Sequence, residues 1–477
     1  MLGLAHDPKH PLLFHTATFA ALFVVFLVGH ALLAGRNRAR LAWMLAFSLF
    51  YYFRSNGLYT VVLLALATID WLLARWIDAA ERPRVRKALL AASVTSNLLA
   101  LGFFKYTNFF GATIAALRGR AYVPLDLFLP LGLSFHVFQS MSYLIDVYRR
   151  RYAPTTSLFE YVLFLSFFPQ IVAGPIVRAP HFFGSIRPLR SPSRAEVATA
   201  LFRIVRGVLK KAILADYLGL YSDLIFASPK TYSGPEVLLG VYAYTLQIYF
   251  DFSGYSDMAL GMARLVGVNL PENFDAPYAA RSITEFWRRW HVSLSGWLRE
   301  YLYASLGGNR HGRARRALAL VVTMLLGGLW HGPSWTFVAW GGLHGAALVA
   351  DKALSRPERP ARRRGFFGWL LTLHFVALGW ILFRAQTFGV AVDVVRQLFV
   401  GWSDTPLLAL VEARAGVVGA LAIGALGCAV PRAAVDWIER RSVTLPVAAK
   451  GAAFGALTLL VIAADRAEVR PFLYFQF

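Results

Sequence analysis

The feature that most constrains this chain is a series of apolar stretches, many of them close to the length of about 20 residues that a helix needs to cross a bilayer. With 57% hydrophobic and only 16% charged residues, a soluble domain would leave too much apolar surface in water. The sequence therefore predicts a polytopic membrane protein. The apolar runs are 12–34, 41–54, 58–77, 88–106, 127–147, 158–177, 198–226, 236–266, 318–340, 366–384, 406–430 and 447–464.

Several of these runs are short or contain polar residues, and we expect those to be re-entrant or interfacial amphipathic helices. The fold class predicted is an all-α polytopic membrane protein with roughly ten to twelve transmembrane helices around a central tunnel. No soluble domain and no internal repeat is visible, so residues 1–477 are predicted to form a single integral-membrane domain. The first run is long enough to span and is followed by RNRAR, which favours a membrane span over a cleaved signal.

The formal net charge is +23, from 49 basic and 26 acidic residues. In a soluble protein this balance would suggest nucleic acid as a partner. Here the basic residues stand in short clusters between apolar runs, which is typical of loops retained in the cytoplasm. We therefore expect anionic lipid headgroups and an anionic cofactor as partners, and no nucleic acid.

His331 lies in the apolar stretch MLLGGLWHGPSW, residues 324–335. An ionisable side chain at membrane depth is costly unless it has a partner or a task, and an imidazole can exchange a proton near neutral pH. Gly327, Gly328 and Gly332 leave room for another backbone or a thin substrate. Two interpretations stay open from this stretch alone, a general base or a buried histidine bonded to a backbone carbonyl.

A second histidine, His291, closes the motif FWRRWH. Aromatic and basic residues alternate around it at helical spacing, which predicts an amphipathic helix at a membrane interface. The glycines and arginines of SLGGNRHGRARR, residues 305–316, then indicate a flexible cationic loop. Such a loop suits phosphate groups. The alternative interpretation is an ordinary cytoplasmic loop, whose charges only retain it on that side of the membrane.

Polar residues also interrupt two other apolar runs. The segment FFPQIVAGPIVR, residues 167–178, contains helix-breaking prolines and glycine, so we expect it to line a cavity. In YFDFSGYSDMALG, residues 249–261, Asp251 and Ser253 are predicted to line a tunnel or orient a histidine. Hydrogen bonding between helices is the alternative, above all for Asp257.

Other common catalytic patterns are missing from the sequence. The single cysteine, Cys428, lies in an apolar run and is interpreted as packing. No HExxH, CxxC or carboxylate–histidine pairing has metal-binding spacing, so no catalytic metal is predicted. A GxSxG elbow is also absent, so no serine nucleophile is predicted.

The order of three motifs is informative. YFDFSGYSDMALG is followed by FWRRWH and then by GGLWHG. This arrangement resembles the membrane-bound O-acyltransferase family, most of all the bacterial members that O-acetylate alginate, other exopolysaccharides and peptidoglycan. By that resemblance His331 is the catalytic base, His291 lines the same tunnel, and the catalytic core covers residues of about 160–350.

The aromatic tail FLYFQF, residues 472–477, is similar to a motif of the same bacterial branch and of a small partner protein in teichoic acid D-alanylation. The resemblance implies that Tyr474 carries the acyl group as a relay. An interfacial aromatic anchor is the other interpretation of this tail.

The resemblance implies a multi-pass O-acetyltransferase of the bacterial inner membrane, with acetyl-CoA as acyl donor. Acetyl would pass to a periplasmic SGNH-hydrolase-like partner and then to an extracytoplasmic polysaccharide. His331 would take a hydroxyl proton during attack on the thioester, while His291 or a nearby donor polarises the carbonyl. The residues predicted to bind the phosphates of acetyl-CoA are Arg288, Arg289, Arg310, Arg313, Arg315 and Arg316, and those predicted to line the tunnel are Asp251, Ser253, Gln170 and Trp330.

Two other functions stay open. One is an acyltransferase acting on a protein or a lipid. The other is a proton-coupled transporter in which buried histidines and aspartates form a proton path. A transporter would show paired symmetric halves with broken helices, and no such symmetry is visible in the sequence.

Overall fold

The computed structural model describes residues 12–310, 312–354, 365–402, 406–446, 448, 449, 452, 455 and 471–473. Among these residues the regular structure is helical, and the only strand-like contact is an isolated bridge between Ile186 and Leu189. The predicted all-α architecture is therefore confirmed for the described part of the chain.

Many of the described helices follow one another with short connections, whereas longer segments join α5 to α6 and α11 to α12. π-helical turns continue three of them at Gly102–Tyr106, Leu209–Ala215 and Leu298–Tyr303. In chain order the α-helices are α1 Ala17–Leu32, α2 Asn37–Asn56, α3 Thr60–Ala79, α4 Pro83–Leu101, α5 Thr107–Leu117, α6 Leu133–Tyr148, α7 Leu158–Ser166, α8 Ala179–Ile186, α9 Arg194–Val208, α10 Asp216–Ala227, α11 Gly234–Leu265, α12 Ile283–Arg289, α13 Val292–Trp297, α14 Gly312–His331, α15 Trp335–Leu354, α16 Gly365–Arg384, α17 Phe388–Gln397, α18 Leu407–Ala413, α19 Ala415–Ala429 and α20 Arg432–Thr444.

The chain folds into two compact units. Among the described residues, 12–204, 256–271 and 471 belong to the first unit, and 205–255, 272–455 and 472–473 belong to the second. Both predicted histidines lie in the second unit.

In the first unit a buried carboxylate ties helices together. Asp70 on α3 accepts hydrogen bonds from Ser93 and Asn97 on α4 at 2.8 Å each and from Ser140 on α6. Because a carboxylate away from water is costly unless its oxygens are satisfied, this set of donors explains how Asp70 can be fully buried. The cluster fixes α3, α4 and α6 against one another.

The predicted interruption at residues 167–178 is confirmed. Helix α7 ends at Ser166 and helical structure resumes only at Ala179, the start of α8. Pro169 and Pro175 cannot donate a backbone hydrogen bond, so the chain leaves the helix here. The segment is buried within the first unit.

Three described helical runs are long and apolar enough to cross a membrane, namely Asn37–Ala79, Pro83–Leu117 and Gly365–Arg384. The pair α18 and α19 is bent by 91° and adds a fourth if it forms one span. These helices support a membrane protein, whereas the larger number of spans predicted from the sequence is not confirmed. Most of the predicted run 447–464 lies outside the described residues.

Two helix predictions in the second unit are wrong. The run 318–340 is not continuous, because α14 ends at His331 and α15 begins at Trp335. Pro333 stands between them, and a proline disfavours helical geometry in the residue before it. The predicted amphipathic helix around FWRRWH is also broken, since α12 ends at Arg289 and α13 begins at Val292.

Candidate active site

Close contact between α14 and α15 positions His331. A Cβ atom added at Gly328 would lie 2.2 Å from the carbonyl oxygen of Phe337, and one at Gly341 would lie 2.2 Å from that of Met324. Only glycine permits two helix backbones to approach this closely. The predicted close approach of another backbone is confirmed at Gly328.

His331, the last residue of α14, is surrounded by aromatic rings and is only 4% exposed. The centroid of its imidazole lies 5.0 Å from that of Trp330, 5.3 Å from that of Trp340 and 5.2 Å from that of Phe383. Aromatic walls exclude water, and exclusion of water strengthens the electrostatic contacts of a reacting group. This setting suits a histidine that exchanges a proton with a bound substrate.

His291 sits at the break between α12 and α13 with a backbone φ of +42°. A non-glycine residue in the left-handed region costs free energy and persists only where its surroundings impose it. Asn273 imposes it here, because its carbonyl oxygen accepts from the backbone N–H of Val292 at 2.8 Å. Its side-chain oxygen Oδ1 lies 2.9 Å from Nδ1 of His291.

The contacts of Asn273 also decide which nitrogen of His291 carries hydrogen. Oδ1 of Asn273 accepts from the hydroxyl of Ser293 at 2.8 Å and faces the backbone N–H of Ser293 at 3.4 Å. A backbone N–H can only donate, so the atom that faces it is the amide oxygen. Nδ1 of His291 is therefore the donor to Asn273, and in the neutral ring Nε2 keeps its lone pair.

Trp330 is a shared neighbour of the two histidines. Its ring centroid lies 6.4 Å from that of His291 and 5.0 Å from that of His331. The two histidines predicted from separate motifs are thus brought to one aromatic cluster. Phe252 closes the other side of His291 with an edge-on ring contact of 4.7 Å.

A third histidine, His344, belongs to this cluster. His344 on α15 is fully buried, and its Nδ1 accepts from the indole N–H of Trp287 at 3.3 Å. Its Nε2 has no hydrogen-bond partner among the described residues and faces Gly379, where an added Cβ would lie 3.2 Å away. His344 thus holds Trp287 in place, and Trp287 in turn lines a cavity of the same unit.

A cavity of about 520 Å³ lies among α12, α13, the π turn Leu298–Tyr303, α14 and α15. Three of its lining side chains are cationic, namely Arg288, Arg299 and Lys352. Trp287 and Val292, the residue after His291, also line it. A cavity with several cations and an aromatic wall can bind phosphate groups next to a flat ring.

The arginines predicted to bind phosphate have different surroundings. Arg288 lines the cavity, and Arg289 instead pairs with Glu285 at 2.6 Å. Arg310, Arg313 and Arg315 are exposed, whereas Arg316 is partly buried and acts electrostatically on Lys352. Arg299 and Lys352 also line the cavity but were not among the predicted phosphate-binding residues, because nothing in the sequence separates them from the other basic residues.

The other predicted site residues fall in three places. Asp251 is buried in the second unit and bonded to Lys211. The hydroxyl of Ser253 is buried without a hydrogen-bond partner among the described residues. Gln170 belongs to the first unit, where its amide donates to the carbonyl oxygen of Phe164 at 2.5 Å. Tyr474 lies outside the described residues.

Comparison with known proteins gives a family match and several relatives. Residues 149–390 match the family described as MBOAT, membrane-bound O-acyltransferase family. The chain is 38% identical to a probable alginate O-acetylase AlgI of Azotobacter vinelandii over 81% of this chain and 78% of that protein. It is 34% identical to a peptidoglycan O-acetyltransferase of Helicobacter pylori over 81% and 79%. A teichoic acid D-alanyltransferase of Streptococcus thermophilus is 33% identical over 48% of this chain and 58% of its own length.

Proposed function

This chain belongs to the membrane-bound O-acyltransferase family and is an O-acyltransferase, and we propose that it moves acetyl from cytoplasmic acetyl-CoA across the bacterial inner membrane. The acceptor proposed is an extracytoplasmic polysaccharide. Residues of about 160–350 form the catalytic core of this proposal, which also retains a multi-pass topology with more spans than the three clearest helices. The observation that carries the proposal is the convergence of His291 and His331 on Trp330 beside a cationic cavity.

In the proposed reaction His331 is the general base. A hydroxyl oxygen attacks the thioester carbonyl, His331 takes the hydroxyl proton, and the C–S bond breaks as the new C–O bond forms. The proton then passes from His331 to the departing thiolate, which leaves as the thiol of coenzyme A. The aromatic rings around His331 support this role because they keep water from competing as nucleophile.

The role proposed for His291 follows from its hydrogen bond to Asn273. A neutral imidazole that donates through Nδ1 can only accept through Nε2. We therefore assign His291 to accept a hydrogen bond from another N–H or O–H donor of the bound substrates and so orient them, because the single hydrogen of the attacking hydroxyl is directed to His331. Polarisation of the carbonyl, the other role predicted for His291, would need the doubly protonated ring or another donor.

The cavity supports a donor with a phosphate-rich head. Arg288, Arg299 and Lys352 are proposed to contact the phosphates of acetyl-CoA, with Trp287 beside its flat ring system. Arginine forks match phosphate oxygens two at a time. The exposed arginines at 310, 313 and 315, with Arg316, are proposed to attract the donor over a longer distance.

Two further parts of the proposal concern what happens after the first transfer. Tyr474 is proposed as an acyl relay, whose phenol attacks the thioester and whose ester is a more reactive donor than an alkyl ester, because phenolate is the better leaving group. A separate periplasmic SGNH-hydrolase-like protein is proposed to receive the acetyl group and to place it on the polymer. The AlgI proteins are named alginate O-acetylases, which supports a polysaccharide acceptor over a protein or lipid.

The test compares two histidine variants in cells that lack the wild-type gene. His331→Ala should abolish acetylation of the polymer while the protein remains inserted in the membrane. His374→Ala is the matched control, since His374 is an exposed histidine of the same unit whose Nδ1 contacts the carbonyl oxygen of Leu370. Polymer acetate would be measured after alkaline release, and a wild-type amount with His331→Ala would overturn the proposed base.

A further inference from the structure

One face of α11 carries three residues that the proposed mechanism does not use. Asp251, Gly254 and Tyr255 are spaced at i, i+3 and i+4, so they lie on the same side of the helix. A Cβ atom added at Gly254 would lie 2.8 Å from the carbonyl oxygen of Gly207 and 3.3 Å from the backbone nitrogen of Lys211. Gly254 therefore lets the π turn Leu209–Ala215 approach α11 closely.

This close approach brings a buried cation to Asp251. The Nζ atom of Lys211 lies 2.6 Å from Oδ1 of Asp251 and 2.8 Å from Oδ1 of Asp216. The Lys211 side chain is 1% exposed and that of Asp251 is 3% exposed. Charges withdrawn from water this completely are retained only where their mutual contacts are well made.

The second oxygen of Asp251 holds a distant part of the chain. Oδ2 accepts the backbone N–H of Leu473 at 2.9 Å. The ring of Phe472 lies under Nζ of Lys211 with its centroid 4.7 Å away, and edge-on to Tyr255 at 4.8 Å. Phe472 and Leu473 are both buried. Phe472 and Leu473 are thus held by one carboxylate, one ammonium and one aromatic ring.

Stability alone does not explain why a charged pair, Lys211 and Asp251, contacts Phe472 and Leu473. Replacing a buried ion pair by apolar side chains of similar volume often leaves stability unchanged or raises it. The ionic contacts instead fix the register of the segment 472–473. The carboxylate accepts one particular backbone N–H and the ammonium faces one particular ring, so the segment fits in a single position. A purely apolar groove would tolerate a shift by one residue.

Asp251 lies next to the residue of α11 that contacts His291. Phe252 follows Asp251 directly, and its ring contacts that of His291 at 4.7 Å. Neighbouring helix residues differ by only about 1.5 Å along the axis. Asp251 therefore binds the backbone of Leu473 at the level of α11 where Phe252 contacts His291.

We propose that Lys211 and Asp251 are positioning residues that dock Phe472 and Leu473 in one register, at the level of α11 where Phe252 contacts His291. The effect of this dock on catalysis rests on the proposed function. Tyr474 directly follows Leu473 in the sequence, so the proposed relay step would depend on where Leu473 is held. The dock itself does not depend on that step.

Hydrogen exchange of the full chain in detergent tests the dock, with mass spectrometry of overlapping peptides that isolate the amide of Leu473. In Asp251→Ala this amide should exchange at least about tenfold faster than in wild type, because a hydrogen bond to a charged acceptor has been removed. Asp251→Asn keeps only one oxygen for the two donors Lys211 and Leu473, so it should restore at most part of the protection. Peptides of α14 and α15 should exchange as in wild type, which separates undocking from general loosening.

Asp216→Asn is the matched control, since it removes the other carboxylate of Lys211 and leaves the Leu473 hydrogen bond in place. Protection of Leu473 should persist in this variant. Equal loss of protection in Asp216→Asn and Asp251→Ala would overturn the proposal, because the cause would then be an unbalanced lysine. Unchanged exchange in Asp251→Ala would overturn it as well.

Polymer acetate distinguishes failure of the dock from failure of the relay. If docking serves the relay, Asp251→Ala should lose polymer acetate about as severely as Tyr474→Phe while binding acetyl-CoA like wild type. Normal acetate in Tyr474→Phe, together with fast exchange of Leu473 in Asp251→Ala, would remove the relay and leave the dock standing.

Discussion

The side chain of Asn273 has the most consequences of any single residue around the histidines. It stabilises a left-handed residue at 291, sets which nitrogen of that ring is protonated and binds Ser293. The sequence predicted no chemical role for Asn273. Its role depends on a contact across 18 positions, which no local pattern encodes.

Asn273→Ala should lower acetyl transfer by about tenfold, since a buried hydrogen bond of about 1.4 kcal/mol corresponds to that factor in rate. The expected cause is a misoriented His291, so the double variant with His291→Ala should be no slower than His291→Ala alone. Initial rates of acetyl transfer from labelled acetyl-CoA would measure this. Losses that simply multiply would show that the two residues act independently.

At the scale of helices, two breaks place the histidines. His331 ends α14 and His291 interrupts α12 and α13, whereas the sequence predicted continuous helices at both positions. The break after His331 was within reach of sequence reasoning, because Pro333 is a visible helix terminator. The break at His291 was not, because the aromatic residues on both sides keep helical spacing and only Asn273 supplies the competing hydrogen bonds.

The contact between α14 and α15 makes two adjacent glycines behave differently. Gly328→Ala should lower the unfolding temperature and the activity, because its Cβ would lie 2.2 Å from a backbone oxygen, and overpacking costs about 1–3 kcal/mol. Gly327→Ala is the control, since its Cβ would meet only the end of the Leu298 side chain at 3.3 Å. Thermal unfolding in detergent would compare them, and equal midpoints would contradict this account of the helix contact.

At the scale of the whole molecule, the net charge of +23 creates a field in addition to direct contacts. Replacing Arg310, Arg313, Arg315 and Arg316 by glutamine should weaken acetyl-CoA binding at low salt and have little effect at high salt. The reason is that screening shortens the reach of exposed charges to about 3 Å at 1 M salt. Replacing Arg288 and Arg299 should weaken binding at both salt concentrations, because these side chains line the cavity.

Titration of the detergent-solubilised protein with acetyl-CoA at two salt concentrations would separate the two groups of arginines. A salt dependence that is the same for both sets would remove the distinction between attraction at a distance and contact. Normal binding in all variants would leave these arginines a role in membrane topology alone.

Much of the whole-molecule description was accessible from sequence because it rests on contiguous signals. Apolar runs indicated a helical membrane protein, and the motifs around His291 and His331 indicated the family. The cationic cavity was only partly accessible, since Arg299 and Lys352 join Arg288 through folding rather than through spacing. Asp251 was predicted to line a tunnel, to orient a histidine or to form a hydrogen bond between helices. Its hydrogen bond to Leu473 could not be predicted from any local sequence pattern.

The bond between Asp251 and Leu473 joins residues that are 222 positions apart. At a synthesis rate of about 5–20 residues per second, Asp251 is made roughly 10–45 s before Leu473 exists. During that interval Lys211 and Asp251 exist without Phe472 and Leu473, which they later contact. The contacts of Asp251 with Leu473 and of Lys211 with Phe472 can therefore form only after residues 472 and 473 have been made.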